Sequence, residues 1–221
     1  MSIAMVPTST VFSFEAEDDA ELTSRDIKRE AFVEAARESF LTRGYGATSM
    51  SSIAAAVGGS KTTLWSHFPS KEALFAAVVD QMVARYGRAM DVPLDPAEDV
   101  AESLRRYAAA LMETVHSDPV IELHRLAIGN AGRFPELART FYERGQARGK
   151  ARLSAFLGGA MAMGKLRAGD PNVAARQFAG MLFHGSPQQH ILSLTGAPSP
   201  ADIEVEIDLC VDSFMRAWQP D

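Results

Sequence analysis

"TSMSSIAAAVGGSKTTLWSHFPSKEAL", residues 48–74, sets two short runs with an apolar face on either side of a glycine pair and closes on Phe-Pro-Ser. Met50, Ile53, Ala54 and Val57 recur at helical spacing, so the first run is a short helix with Thr48 as its expected N-cap. "VGGS" breaks it. Ser60 can cap a second helix through about Ser66, in which Leu64 and Phe68 stand four residues apart and bury together. That leaves Ser60, Lys61, Thr62, Thr63 and Trp65 facing outward or sideways. "FPS" ends the second helix, and Ser70 caps a longer one in "EALFAAVVDQMVARY".

Two short helices joined by a tight turn containing glycine have the architecture of a helix-turn-helix. A helix that enters the major groove must offer small polar or cationic side chains outward while its inner face packs on its neighbours. Helix N-termini at Thr48 and Ser60, with the cation of Lys71 beside them, suit phosphate. The competing reading of Lys61, Thr62 and Thr63 is a solvated, well-capped surface helix. Trp65 reads either as part of the outward face or as a core aromatic.

Upstream, Thr23 or Ser24 caps a helix with Asp26 in its first turn and Phe32, Ala35, Ala36 and Phe40 on its inner face, ended by Gly44 after Arg43. Residues 1–22 hold Pro7 and the acidic run "EAEDDAE", too polar to order themselves, and are expected to form an acidic mobile tail.

Charge is unevenly spread along the chain, whose formal net charge is -6. Residues 1–24 carry five acids and no base, and residues 73–221 carry fifteen Lys or Arg against eighteen acids. Residues 25–72 carry seven Lys or Arg against five acids and are the positive segment. The cations therefore gather where the helix-turn-helix lies.

At 221 residues and 47% hydrophobic composition the chain can bury a substantial core. No basic leader and no apolar run of about 18 residues is present, so the sequence implies a cytoplasmic protein without a membrane partner. Cys210, the single cysteine, sits on an apolar helix face in "EIDLCVDSFM", where packing is its expected role.

Beyond Pro93, helical runs alternate with breakers at "DVPLDP", "HSDP", "RFP", "GKLRAGDP" and "TGAPSP", with no useful period-2 alternation. The fold class is all-α, with about nine helices: a three-helix DNA-binding domain over residues 23–72, its motif about 48–68, and a larger helical domain over 73–221.

Over residues 32–79 the chain resembles the N-terminal domain of TetR-family transcriptional regulators. A Thr-Ser start, an Ile-Ala pair, a Ser-Lys cap and a His-Phe-x-Ser-Lys-Glu tail follow in that order. The resemblance implies that Thr48 and Ser49 hold phosphates, that Lys61, Thr62 and Thr63 contact DNA from the recognition helix, and that Trp65, His67 and Lys71 grip the backbone. Gly59 replaces the common apolar residue of the turn, implying a less firmly anchored recognition helix, and Thr62 replaces a common glycine. "HRLAIGNAGRFPELARTFYERG" with "GKLRAGDPNVAARQFAGMLF" resembles the C-terminal domain of a subgroup of TetR repressors, some linked to efflux control, with Gly129-Asn130 where an acidic residue is common.

That family is composed of homodimers that read palindromic operators on double-stranded DNA and are released by a small-molecule effector. Two reading heads about 34 Å apart, or a multiple, match successive grooves. Apolar faces at about 171–193 and 201–218 suit a two-fold helical interface. The expected effector is small and largely apolar, lined by Met112, Leu126, Phe156 and Phe183, with His184 as the polar contact; Leu111, Val115, Met161 and Met163 are ordinary core or pocket wall. Gly185 and Pro187 interrupt the helix that carries His184.

Neither a metal nor a cofactor is expected: His116, His124, His184 and His190 lack i, i+4 pairing and cysteine neighbours, and phosphate-loop, nucleophile-elbow and dinucleotide motifs are missing. Catalytic residues are accordingly not assigned. Two other readings stand: a helical binding protein or enzyme with a vestigial DNA-binding domain, and a DNA-binding protein without an inducer, for which the interior would lack a cavity.

Overall fold

The computed structural model describes residues 23–220, which contain helices and connecting turns and no strand. The acidic segment 1–22 lies outside the described residues. The elements run α1 (Ser24–Arg43), α2 (Met50–Ala56), α3 (Lys61–His67), α4 (Lys71–Tyr86), α5 (Val100–His116), α6 (Asp118–Asn130), α7 (Pro135–Phe141), α8 (Ala147–Ala162), α9 (Pro171–Phe183), α10 (Ser186–Ile191) and α11 (Pro200–Trp218). A 3-10 turn at Arg88–Met90 follows α4, and a π-turn at Tyr142–Gln146 joins α7 to α8. The eleven segments among the described residues exceed nine because that π-turn and the break at His184–Gly185 each divide one expected run.

Local chemistry sets the helix starts. Thr23 and Asp26 form a reciprocal capping box on α1, and Ser199 and Asp202 do the same on α11, where Pro200 opens the helix. Ser60 accepts the Thr63 amide, Ser70 that of Ala73 and Asp99 that of Glu102, each satisfying one free N–H of a first turn. Thr48 does not cap α2. Ser49 does, in a capping box with Ser52, while the Thr48 hydroxyl is buried and lies 3.0 Å from Ser39 O and 2.9 Å from Gly44 O.

Two apolar cores organise the molecule. The first gathers Phe32, Phe40, Ile53, Leu64, Phe75 and their neighbours from α1–α4 and continues into α6 and α7 through Leu123, Leu126 and Phe141. The second gathers Leu104, Met112, Phe156, Phe178, Phe214 and their neighbours from α5, α8, α9 and α11. Cys210 is buried within it, with its thiol pushed up to about 12 by burial and Glu206, the state of a packing residue rather than a nucleophile. Along α5, Val100, Leu104, Tyr107, Ala108 and Met112 supply one buried stripe at helical spacing. No described helix is long and apolar enough to cross a membrane.

A candidate reading head and an apolar cavity

Helix α3 is fixed from inside and open outside. Leu64 and Phe68 are buried among α1, α2 and α4, whereas Lys61, Thr62 and Ser66 are exposed and Trp65 is 49% exposed. Leaving a large indole in water lacks any packing reward. Lys61 and Trp65 stand one helical turn apart, with Thr62 beside them, so these three make the outward stripe. Ser60 and Thr63 are turned partly to each other, their hydroxyls 2.8 Å apart at the cap. His67 is half-buried, its ring centroid 5.9 Å from that of Phe32.

The turn before α3 is tighter than expected. Gly58 adopts φ +67°, and the Gly58 and Gly59 amides bond back to Ala55 O at 3.1 Å and Ala54 O at 3.0 Å, a Schellman closure of α2. A Cβ on Gly59 would stand 3.1 Å from the Phe32 ring. Glycine here therefore lets the turn press on Phe32.

Two expected phosphate contacts need correction. Thr48 is interior, and its neighbour Ser49 is the exposed hydroxyl at the start of α2. Lys71 is half-buried, with its ammonium donating to Tyr45 O and standing 4.1 Å from the Tyr45 ring centroid. These contacts fasten the α1–α2 turn to α4, and burial lowers the pKa of the ammonium that makes them. Lys28 and Arg29, which the motif did not single out, border α3 instead. Lys28 Cε reaches the Gly59 turn and Arg29 lies 5.2 Å over the Phe68 ring, at opposite ends of α3.

Between the two cores lies a cavity of about 250 Å³. Val79, Met82 and Val83 of α4 form one wall; Leu111 and Val115 of α5, His124 of α6, the π-turn, Lys150 of α8 and Phe183 of α9 form the others. Of the five residues expected to touch a ligand, Phe183 lines this space. Met112 and Phe156 are fully packed in the second core and Leu126 in the first, because each points to a neighbouring helix rather than to the gap. His184 is exposed at the end of α9, bonded to Gln188 through Nδ1 at 3.0 Å.

The cavity histidine is His124. Its Nδ1 lies 2.9 Å from Val120 O and so carries the proton, and its ring meets Phe141 at 4.7 Å and Phe183 at 6.0 Å. Burial pushes its pKa below the ordinary histidine value, leaving Nε2 as an acceptor that faces Gln146 Nε2 at 3.5 Å. His116 and His190, distant in sequence, meet Nδ1 to Nδ1 at 3.2 Å, and His116 Nε2 lies 3.0 Å from Ser186 Oγ, which donates to Glu206. No group of three or more metal-ligating side chains occurs among the described residues.

A three-helix head with a solvent-facing third helix, carried on a helical body that holds an apolar cavity, is the construction of a helix-turn-helix transcriptional regulator. Residues 102–220 match the family described as AefR-like transcriptional repressor, C-terminal domain, and residues 32–78 match bacterial regulatory proteins, tetR family. The chain belongs to the TetR family of transcriptional regulators, and neither its fold nor its relatives are those of enzymes.

The chain is 36% identical over 84 residues to the HTH-type transcriptional repressor ComR of Escherichia coli (strain K12), covering 38% of this chain and 40% of ComR. It is 32% identical over 114 residues to the HTH-type transcriptional regulator RutR of the same strain, covering 52% of this chain and 46% of RutR. These matches span less than half of either relative. Among solved structures, the Flavonoid-responsive Regulator FrrA is 36% identical with a TM-score of 0.78, covering 88% of this chain and 98% of that one. A TetR-family regulator from Mesorhizobium loti MAFF303099 is 30% identical with a TM-score of 0.75, covering 89% and 99%.

Proposed function

We propose that this chain is a cytoplasmic, ligand-responsive repressor that occupies a palindromic double-stranded operator as a homodimer and leaves it when a small, largely apolar molecule fills the cavity. Residues 23–72 serve as the reading head and residues 73–221 as the sensing and dimerising part. Lys61, Thr62 and Trp65 read and grip the groove, Ser49, Ser60, Thr63 and His67 hold the backbone, and Lys28 and Arg29 add flanking phosphate contacts. Lys71 acts through the turn it fastens.

The observation that carries this reading is the double duty of α4. Ser70 and Lys71 begin it against the reading head, and two turns later Val79, Met82 and Val83 are cavity wall. An occupant that favours a different position of α4 shifts the population toward an arrangement whose two heads are wrongly spaced. Met181, Val205 and Leu209, which leave an apolar strip exposed along α9 and α11, supply the face for a second copy. The flavonoid response for which FrrA is named supports a small aromatic effector, and the cavity itself counts against a regulator without one.

The test is selection of bound sequences from a random duplex library at two salt concentrations. A palindrome whose binding weakens as salt rises is the expected result. Recovery of nothing above background would sink the DNA-binding reading and leave the cavity as the seat of function.

A further inference from the structure

We propose that the effector is a small organic acid with three parts: a compact apolar body, a hydroxyl or N–H donor at its buried end, and an anionic group at the cavity mouth. This rests on reading the cavity as the effector site. The walls set the body. A 150 Å³ apolar cavity accommodates benzene, so about 250 Å³ takes an apolar body of about ten heavy atoms.

The buried end sets the donor. His124 is 5% exposed, its Nδ1 proton is committed to Val120 O, and its Nε2 has only Gln146 at 3.5 Å among the described residues, the outer limit of a hydrogen bond. An acceptor so weakly partnered on so deeply buried a ring is satisfied by a ligand O–H or N–H.

The mouth sets the charge. Lys150 from α8 and Arg176 from the adjacent α9 both line the cavity, and no Asp or Glu does. Neither cation forms an ion pair among the described residues. Lys150 stands 5.2 Å from the ring centroid of Tyr142, which is 47% exposed, and Arg176 is exposed, so both cations border the solvent side of the cavity. Two cationic donors without an acidic partner, bordering a mostly apolar space, match a carboxylate.

The test is calorimetric binding of four probes to the full chain: 3-(4-hydroxyphenyl)propionate, its methyl ester, 3-phenylpropionate and 4-ethylphenol. The hydroxy acid should bind at least about tenfold more tightly than each of the other three, the difference expected for one charge-assisted or one buried hydrogen bond. Lys150→Met with Arg176→Met, which keeps the apolar stems, should bring the acid down to the affinity of the ester and leave the ester unchanged, with unfolding midpoints confirming intact variants. Ester or 4-ethylphenol binding as tightly as the acid would overturn the anionic group while leaving the cavity reading in place. Equal affinity for 3-phenylpropionate would overturn the buried donor. Binding of none of the four would overturn the cavity reading, and this proposal with it.

Discussion

Thr48 and Ser49 are neighbouring hydroxyl residues with opposite fates, one anchoring the α1–α2 turn from inside and the other capping α2 from outside. Thr48→Val keeps the volume but leaves the carbonyls of Ser39 and Gly44 without their buried donor, and should lower stability by about 1–3 kcal/mol, read as a lower urea midpoint. An unchanged midpoint would return Thr48 to the surface. The sequence could not separate the two residues, because both are good caps and adjacent positions differ only in which one the tertiary packing turns inward. Buried histidines supply a second residue-scale expectation. His124 and His116 both have folded pKa values below the ordinary 6.5, lowered first by burial. Their contribution is complete above pH 6.5 and is lost as pH falls below it, since the unfolded chain then binds more protons than the folded one. The urea midpoint should therefore fall between pH 7.5 and 5.5, a window above the ordinary carboxylate range, and His124→Phe should flatten the fall. A midpoint that rose on acidification would show that these rings are charged in the fold.

At the scale of elements, the helices of the reading head were legible because Leu64 with Phe68 and Met50 with Ile53 repeat within single short segments. The cavity was not. His124, Gln146, Lys150 and Arg176 come from separate elements, and no local pattern distinguishes Leu111, which faces the gap, from Met112, which is packed one residue further around the same helix. The π-turn had no sequence signal either, yet it matters for register. A π-turn carries about one residue more than an α-turn, so the face of α8 is rotated by roughly 100° from that of an uninterrupted helix. Gly149 and Lys150 meet the cavity in that rotated register. Arg144 within the turn pairs with Asp80 on α4, tying the cavity rim to the helix that reaches the reading head. Arg144→Ala should change stability by less than about 1 kcal/mol, as expected for an exposed pair. Operator affinity without effector should stay within about twofold while the effector concentration needed for release changes by more, measured by fluorescence anisotropy of labelled operator. Release at an unchanged concentration would remove this pair from the coupling.

For the whole molecule, the strip of Met181, Val205 and Leu209 is a feature that a monomer leaves unexplained, with Leu209 65% exposed and Val205 60% exposed while the opposite face of α11 is buried. Leu209→Glu should yield a folded monomer by sedimentation velocity and reduce operator affinity by at least about tenfold, since one head alone forfeits the second half-site. A variant that remained dimeric would place the two-fold contact elsewhere. The shared helix α4 also has a thermodynamic consequence that runs in the other direction. If occupancy of the cavity weakens operator binding by some factor, bound operator must weaken cavity occupancy by the same factor, in the range of about 5–150-fold for ordinary couplings. DNA is then a competitor of the small molecule without touching its site. The sensitivity of such a switch would be set partly by how many operators the protein is sitting on when the signal arrives.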